Sequence, residues 1–124
     1  IERIESREIL ELAMYRISTL DEDYYYGGPS RFFGMFYSRL PGVPLERARM
    51  NFDQSLLDNP NFFGTRVLRA RYYHTKLGNR EQFQDDLKHV IETDPSLLPD
   101  AMPENLFEQE KAKELLNNQT ILFE

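Results

Sequence analysis

Tyr24-Tyr25-Tyr26-Gly27-Gly28-Pro29-Ser30-Arg31-Phe32-Phe33-Gly34-Met35-Phe36-Tyr37 is the stretch from which the fold is read. It holds seven of the chain's sixteen aromatic rings and three of its six glycines. Pro29 suits the first turn of a helix, where its missing N–H would be unpaired in any case, and Gly28 before it can take a non-helical cap conformation. A helix is therefore expected from Pro29. Phe33, Phe36, Tyr37 and Leu40 follow at i, i+3, i+4 and i+7, one helical face, while Gly34 on that surface leaves room for a neighbouring helix to approach. Pro41-Gly42 ends it.

Upstream, Leu10, Ala13, Met14, Ile17 and Leu20 recur at helical spacing among charged residues, predicting a helix from about Glu2 to Leu20 and an acidic break at Asp21-Glu22-Asp23. Downstream, Pro44 reads as the first residue of a helix that buries Leu45, Ala48, Phe52 and Leu56 and stops at Asn59-Pro60. A helix over about Phe62 to Leu77 is closed by Gly78 as a left-handed cap. Asn79 and Gln82 form a capping box for the next, whose face is Phe83, Leu87, Val90 and Ile91 and which ends at Asp94-Pro95. A last helix runs from about Glu104 to Asn117, followed by the apolar tail Ile121-Leu122-Phe123. The expected fold is all-α, about six helices with no competing strand pattern.

Those helices repeat. Ala48, Phe52, Ser55 and Pro60 have offsets of 4, 7 and 12, and Phe83, Leu87, Val90 and Pro95 reproduce them 35 residues later. Leu10, Met14, Ile17 and Glu22 show them 38 residues earlier, without the proline. These are second-helix positions of a tetratricopeptide-type hairpin; Gly34 with Tyr37, and Ala70 with Tyr73, supply the small residue three before a tyrosine in the first helices. The expectation is a single tetratricopeptide-like domain over 1–124, three hairpins in an α-solenoid, the alternative being an unrelated bundle with accidental matches.

At 124 residues and 40% hydrophobic, the chain is long enough to bury a core. A formal charge of −6 makes nucleic acid a poor partner, since phosphate binding needs a net basic surface. Without cysteine, thiolate metal sites, cysteine nucleophiles and disulfides are excluded. The chain opens on Ile1, which reads as the C-terminal part of a longer or processed protein.

Four stretches resemble the T component of TRAP-type transporters, periplasmic lipoproteins built on degenerate tetratricopeptide repeats. They are Asp23-Tyr24-Tyr25-Tyr26-Gly27-Gly28-Pro29 with Arg31 and Gly34; Arg39-Leu40-Pro41-Gly42; Asn61 with Gly64-Thr65; and Glu104-Asn105 with Lys111-Ala112. The resemblance covers about Tyr24 to Phe123. It implies a periplasmic accessory of a solute uptake system, docking a periplasmic solute-binding protein, assembling as a homotrimer, and meeting the membrane only through a lipid anchor outside this segment.

Counting along tetratricopeptide hairpins puts Arg31, Met35, Ser38 and Arg39, and then Val67, Arg71, His74 and Thr75, on a concave inner face. Three arginines and a histidine converging there would suit a carboxylate or an acidic partner segment; the bland reading is solvated arginines paired with local acids. Tyr24, Tyr25 and Tyr26 are expected to divide between core and the mouth of a cavity, with Gly27, Gly28 and Pro29 completing the candidate partner-binding string. Gly27-Gly28 lacks the Lys and Ser/Thr of a phosphate loop. His74 and His89 lack clustered carboxylates, so no metal is expected, and no catalytic signature or cofactor motif is found. Asp85-Asp86 reads as solubility charge on a solvated face. The expected function is a non-catalytic transport accessory that handles a small organic anion or hydrophobic solute; the alternative is a general tetratricopeptide adaptor clamping a peptide.

Overall fold

The computed structural model describes residues 2–21 and 24–124, with side chains from residue 8 onward except those of 18 and 20. Among the described residues the chain is all-α, without a strand: α1 (Glu2–Leu20), α2 (Tyr24–Arg39), α3 (Leu45–Asp58), α4 (Gly64–Leu68), a π-helical turn (Arg69–His74), α5 (Thr75–Leu77), α6 (Arg80–Glu92), 3-10 turns at Pro95–Leu97 and Pro99–Ala101, α7 (Met102–Asn117) and α8 (Gln119–Leu122). No helix among them is long and apolar enough to cross a membrane.

The local signals act as their chemistry requires. Gly78, at φ 69, closes α5 in the left-handed region. Asn79 Oδ1 accepts the Gln82 N–H at 3.2 Å, but the Asn79 N–H goes to the His74 carbonyl at 2.9 Å, so the capping box is only half made. Pro44 sits one residue before α3, as its cap. A Cβ on Gly34 would lie 2.7 Å from Phe52 Cγ, which is how α2 and α3 come into close contact.

Two apolar clusters result. Phe33, Tyr37, Ala48, Phe52 and Tyr73 join α2, α3 and the π turn; Phe63, Val67, Ala70, Phe83, Leu87, Val90, Ala112 and Leu115 join α4, the π turn, α6 and α7. Both downstream sets of repeat positions, Ala48, Phe52 and Ser55 and Phe83, Leu87 and Val90, are buried. In α1, by contrast, Leu10 and Ala13 are exposed while Met14 and Ile17 are half-buried, because this helix packs chiefly on α2 alone. The Leu20 side chain, Glu22 and Asp23 lie outside the described residues. At the other end Leu122 and Phe123 cover the second cluster, with Phe123 edge-on to Phe83 at 5.0 Å, while Ile121 stays exposed.

Asp86 is not a solubility charge. Its side chain is buried, with Asp85 exposed beside it. Arg69 grips it through two bonds (Nε to Oδ2 2.8 Å, Nη2 to Oδ1 2.6 Å), Arg66 Nη1 donates at 3.0 Å and His74 Nε2 at 3.1 Å. In a π turn residues five apart stack, so Arg69 and His74 face the same carboxylate. Burial alone would raise this carboxyl, but the bonds from Arg69 and His74, with the Arg69 charge beside it, outweigh it and hold it at about 2.

A depressed folded-state carboxyl stabilises above its unfolded value, and the contribution is lost as pH falls through the folded value. Roughly 2 kcal/mol should therefore disappear between about pH 4 and pH 2, measured by urea unfolding across that range. Asp86→Asn should remove this slope and lower stability at neutral pH by about 2–3 kcal/mol, since it takes the carboxylate from the half-buried Arg66 and leaves Arg69 with Asp53 alone.

Candidate functional site

Tyr25 (φ 48, ψ 58), Tyr26 (φ 58, ψ 49) and Gly27 (φ 75, ψ 30) form a left-handed turn at the start of α2. For each non-glycine residue that conformation costs about 1–2 kcal/mol. Gly28, expected to take a non-helical cap conformation, is already helical; the non-helical glycine is Gly27, at positive φ, and right-handed helix resumes after it. Gly27 also sits where a side chain has no room, a Cβ falling 2.9 Å from Ser55 Oγ. Ser55 Oγ is 3.1 Å from the Gly27 carbonyl, to which it donates, and 3.3 Å from Thr65 Oγ1, a buried relay joining α2, α3 and α4.

Arg31 holds the turn from the other side. Its Nη1 donates to the Tyr26 carbonyl at 2.9 Å and its Nη2 to the Tyr25 carbonyl at 3.0 Å, while the guanidinium carbon lies 4.4 Å over the Phe62 ring. Phe62 is itself placed by Asn105, which is buried in α7: Asn105 Oδ1 accepts the Phe63 N–H at 3.0 Å, and Nδ2 donates to the Asn61 carbonyl at 2.9 Å. Tyr26 stacks on Phe62 at 5.0 Å and 16°, and Tyr25 meets it edge-on at 5.7 Å. None of the three tyrosines is core, contrary to expectation. Tyr26 is half-buried and Tyr24 and Tyr25 are 57% and 52% exposed, because a left-handed turn sends successive side chains outward rather than into a helical face.

Between this turn, α4, the π turn and α7 lies a cleft of about 540 Å³. Phe62, Val67, Leu68 and Leu115 supply apolar wall, and Tyr72 and Phe107 bring rings. Arg31, Arg71 and Lys111 line it, but so do Glu104, Glu108 and Glu114. The cleft is thus mixed in charge, not the cationic inner face expected from repeat counting. Tyr25 Oη donates to Glu104 Oε2 at 3.0 Å, a bond that raises the phenol's pKa, so the turn is tied to α7 across the cleft. Burial raises the Glu108 carboxyl, with Lys111 and Arg31 opposing it, and burial lowers the Arg31 guanidinium.

The remaining expected site residues separate. Pro29 is buried at the base of the turn. Met35 packs on the α2–α3 cluster and lines a second cavity of about 420 Å³ together with Tyr24, Tyr25 and Arg31. Arg39 is exposed at the cleft's edge, 5.5 Å over the Tyr72 ring. Arg71 faces the cleft, but His74 is turned inward onto Asp86 and does not join it. Counting four residues from Ala70 assumes α-helical geometry, and the wide π turn rotates His74 off that face. His74 Nδ1 is buried without a partner among the described residues. The α7 contributors Phe107 and Glu108 went unread; their neighbours Glu104 and Lys111 stand in the resemblance strings.

The sequence profile described as TRAP transporter T-component matches residues 1–123, including α1, upstream of the stretch first read as similar. The chain belongs to that family, and with it to the components of a TRAP transport system. No curated protein matches the chain.

Arg31 and Arg39 differ sharply in surroundings, so exposed-arginine reasoning applies only to the second. Arg31→Ala should lower unfolding free energy by about 2–4 kcal/mol through two lost charged hydrogen bonds. Arg39→Ala should change it by no more than about 0.5 kcal/mol. Parallel urea melts read both, and equal small effects would show that the turn does not depend on Arg31.

Proposed function

We propose that this T component is a non-catalytic periplasmic accessory that docks the solute-binding protein of its transport system and handles a small organic anion or hydrophobic solute in its cleft. The observation that carries the reading is convergence. Tyr25 and Arg31 from the first resemblance string, Gly64 from the third, and Glu104 and Lys111 from the fourth line one cleft, although about 80 residues separate the first from the last. The docking element is the left-handed turn, which displays Tyr24 and Tyr25 at the rim on a backbone held by Arg31 and Ser55. Large amphipathic rings on a rigid support suit a protein interface, because little side-chain freedom is lost on association. The hairpin repeat, a homotrimeric assembly and a lipid anchor outside this segment complete the proposal.

Titration calorimetry of the chain against the solute-binding protein of the same system tests it. Tyr24→Ala and Tyr25→Ala should each weaken docking by about tenfold or more, the effect of losing an aromatic anchor. Circular dichroism of each variant serves as the folding control. Wild-type affinity in the double variant would move docking to another face.

A further inference from the structure

Arg39 on α2 and Arg71 on the π turn share one ring: their guanidinium carbons lie 5.5 Å and 5.2 Å from the Tyr72 centroid. The two charges are therefore within about 11 Å of each other, close to the ~8–10 Å over which salt screens exposed charge. Neither has a carboxylate at ion-pair distance among the described residues, whereas Arg49, Arg66 and Arg69 each hold one. Two arginines that hold no acid and sit over one ring are chemically suited to an external anion.

One turn back along each helix the surface becomes apolar. Met35 precedes Arg39 by four residues, and Leu68 precedes Arg71 by three. Both line the 420 Å³ cavity, with Met14, Ile17, Phe32 and Arg31, and Leu68 also lines the larger cleft, so it stands on the wall the two share. That volume lies within the usual range for small-molecule sites, and methionines adapt their shape to a flexible chain. The acids Glu104, Glu108 and Glu114 in the cleft oppose negative charge on a ligand, and oppose a dianion about twice as strongly as a monoanion.

We propose that these features form one site for a single-chain amphiphilic carboxylate, its head between Arg39 and Arg71 over Tyr72 and its aliphatic chain passing Leu68 into the Met14–Met35 cavity. The assignment rests on the transport-accessory reading and names the class of solute for it.

Calorimetry of the whole chain with decanoate, decan-1-ol, butyrate and decyl phosphate, all below micelle-forming concentrations, tests it. Decanoate should bind at least about tenfold more tightly than the alcohol, which lacks the charge, and than butyrate, which lacks the chain. Decyl phosphate should be the weaker anion. Arg39→Gln with Arg71→Gln should bring decanoate down to the affinity of decan-1-ol and leave the alcohol unchanged. Equal affinity for decanoate and decan-1-ol, no decanoate binding, or wild-type binding in the double variant would each overturn the site. Docking of the solute-binding protein is followed in the same variants: decanoate failing while docking persists removes the solute class alone, and docking failing while decanoate binds removes the docking reading alone.

Discussion

The pair of hydrogen bonds from Arg31 to the Tyr25 and Tyr26 carbonyls is the constraint on which this end of the molecule depends. Two left-handed tyrosines are unfavourable by about 1–2 kcal/mol each, so the turn cannot persist on local preference. Two hydrogen bonds from a charged donor contribute about 1.5–3 kcal/mol each, enough to offset that strain. The guanidinium can do this because its face rests on Phe62, leaving its edge free for the carbonyls. Phe62 in turn stays in place because Asn105 satisfies the backbone on either side of it. The strain at α2 is thus carried by a side chain of α7, 79 residues or so away in sequence.

The same arrangement explains why the cleft is not simply basic. An arginine engaged with carbonyls and a ring still carries its charge, and burial makes that charge harder to hold. Glu108, half-buried nearby, lies beyond ion-pair distance; burial raises its carboxyl, with Lys111 and Arg31 opposing that. Arg71 and Arg39 are different in kind: exposed, resting on Tyr72, and free of such obligations among the described residues. Structural and available cations are distinguished by what surrounds them.

Features with short-range causes are legible in the sequence. Gly78 closes its helix and the spacing of Phe83, Leu87 and Val90 marks a buried face, because each depends on a handful of neighbouring residues. The all-α class follows from those. Asp86 was misread although it stands at i+3 from Phe83 on that face; an acid among apolar positions signals a buried partner, and its partners Arg66, Arg69 and His74 come from another helix. The π turn is likewise invisible to an α-helical count, which is why His74, counted onto the same face as Arg71, turns inward onto Asp86 instead. For the tyrosines, the glycine pair signalled a departure from helix, but only the Arg31 guanidinium donating to the Tyr25 and Tyr26 carbonyls, with the distant Phe62 ring beneath it, explains why it begins at Tyr25.

Rigidity and adaptability are divided between the two cavities that share Tyr25, Arg31 and Leu68. The tyrosine turn is fixed by Arg31, by Ser55 at Gly27 and by the Tyr25–Glu104 bond, so its rings reach a partner with little conformational freedom left to lose. Beside Tyr25 and Arg31, the smaller cavity has Met14, Ile17, Phe32 and Met35, side chains that can repack without breaking a hydrogen bond. Because Tyr25 lines both cavities and bonds to Glu104 at the rim, a partner that contacts Tyr25 acts on a shared wall, and a change at that wall alters the shape of both spaces. On the reading proposed here, protein docking and solute occupancy are therefore coupled through one side chain, and by linkage each should alter the affinity of the other by the same factor.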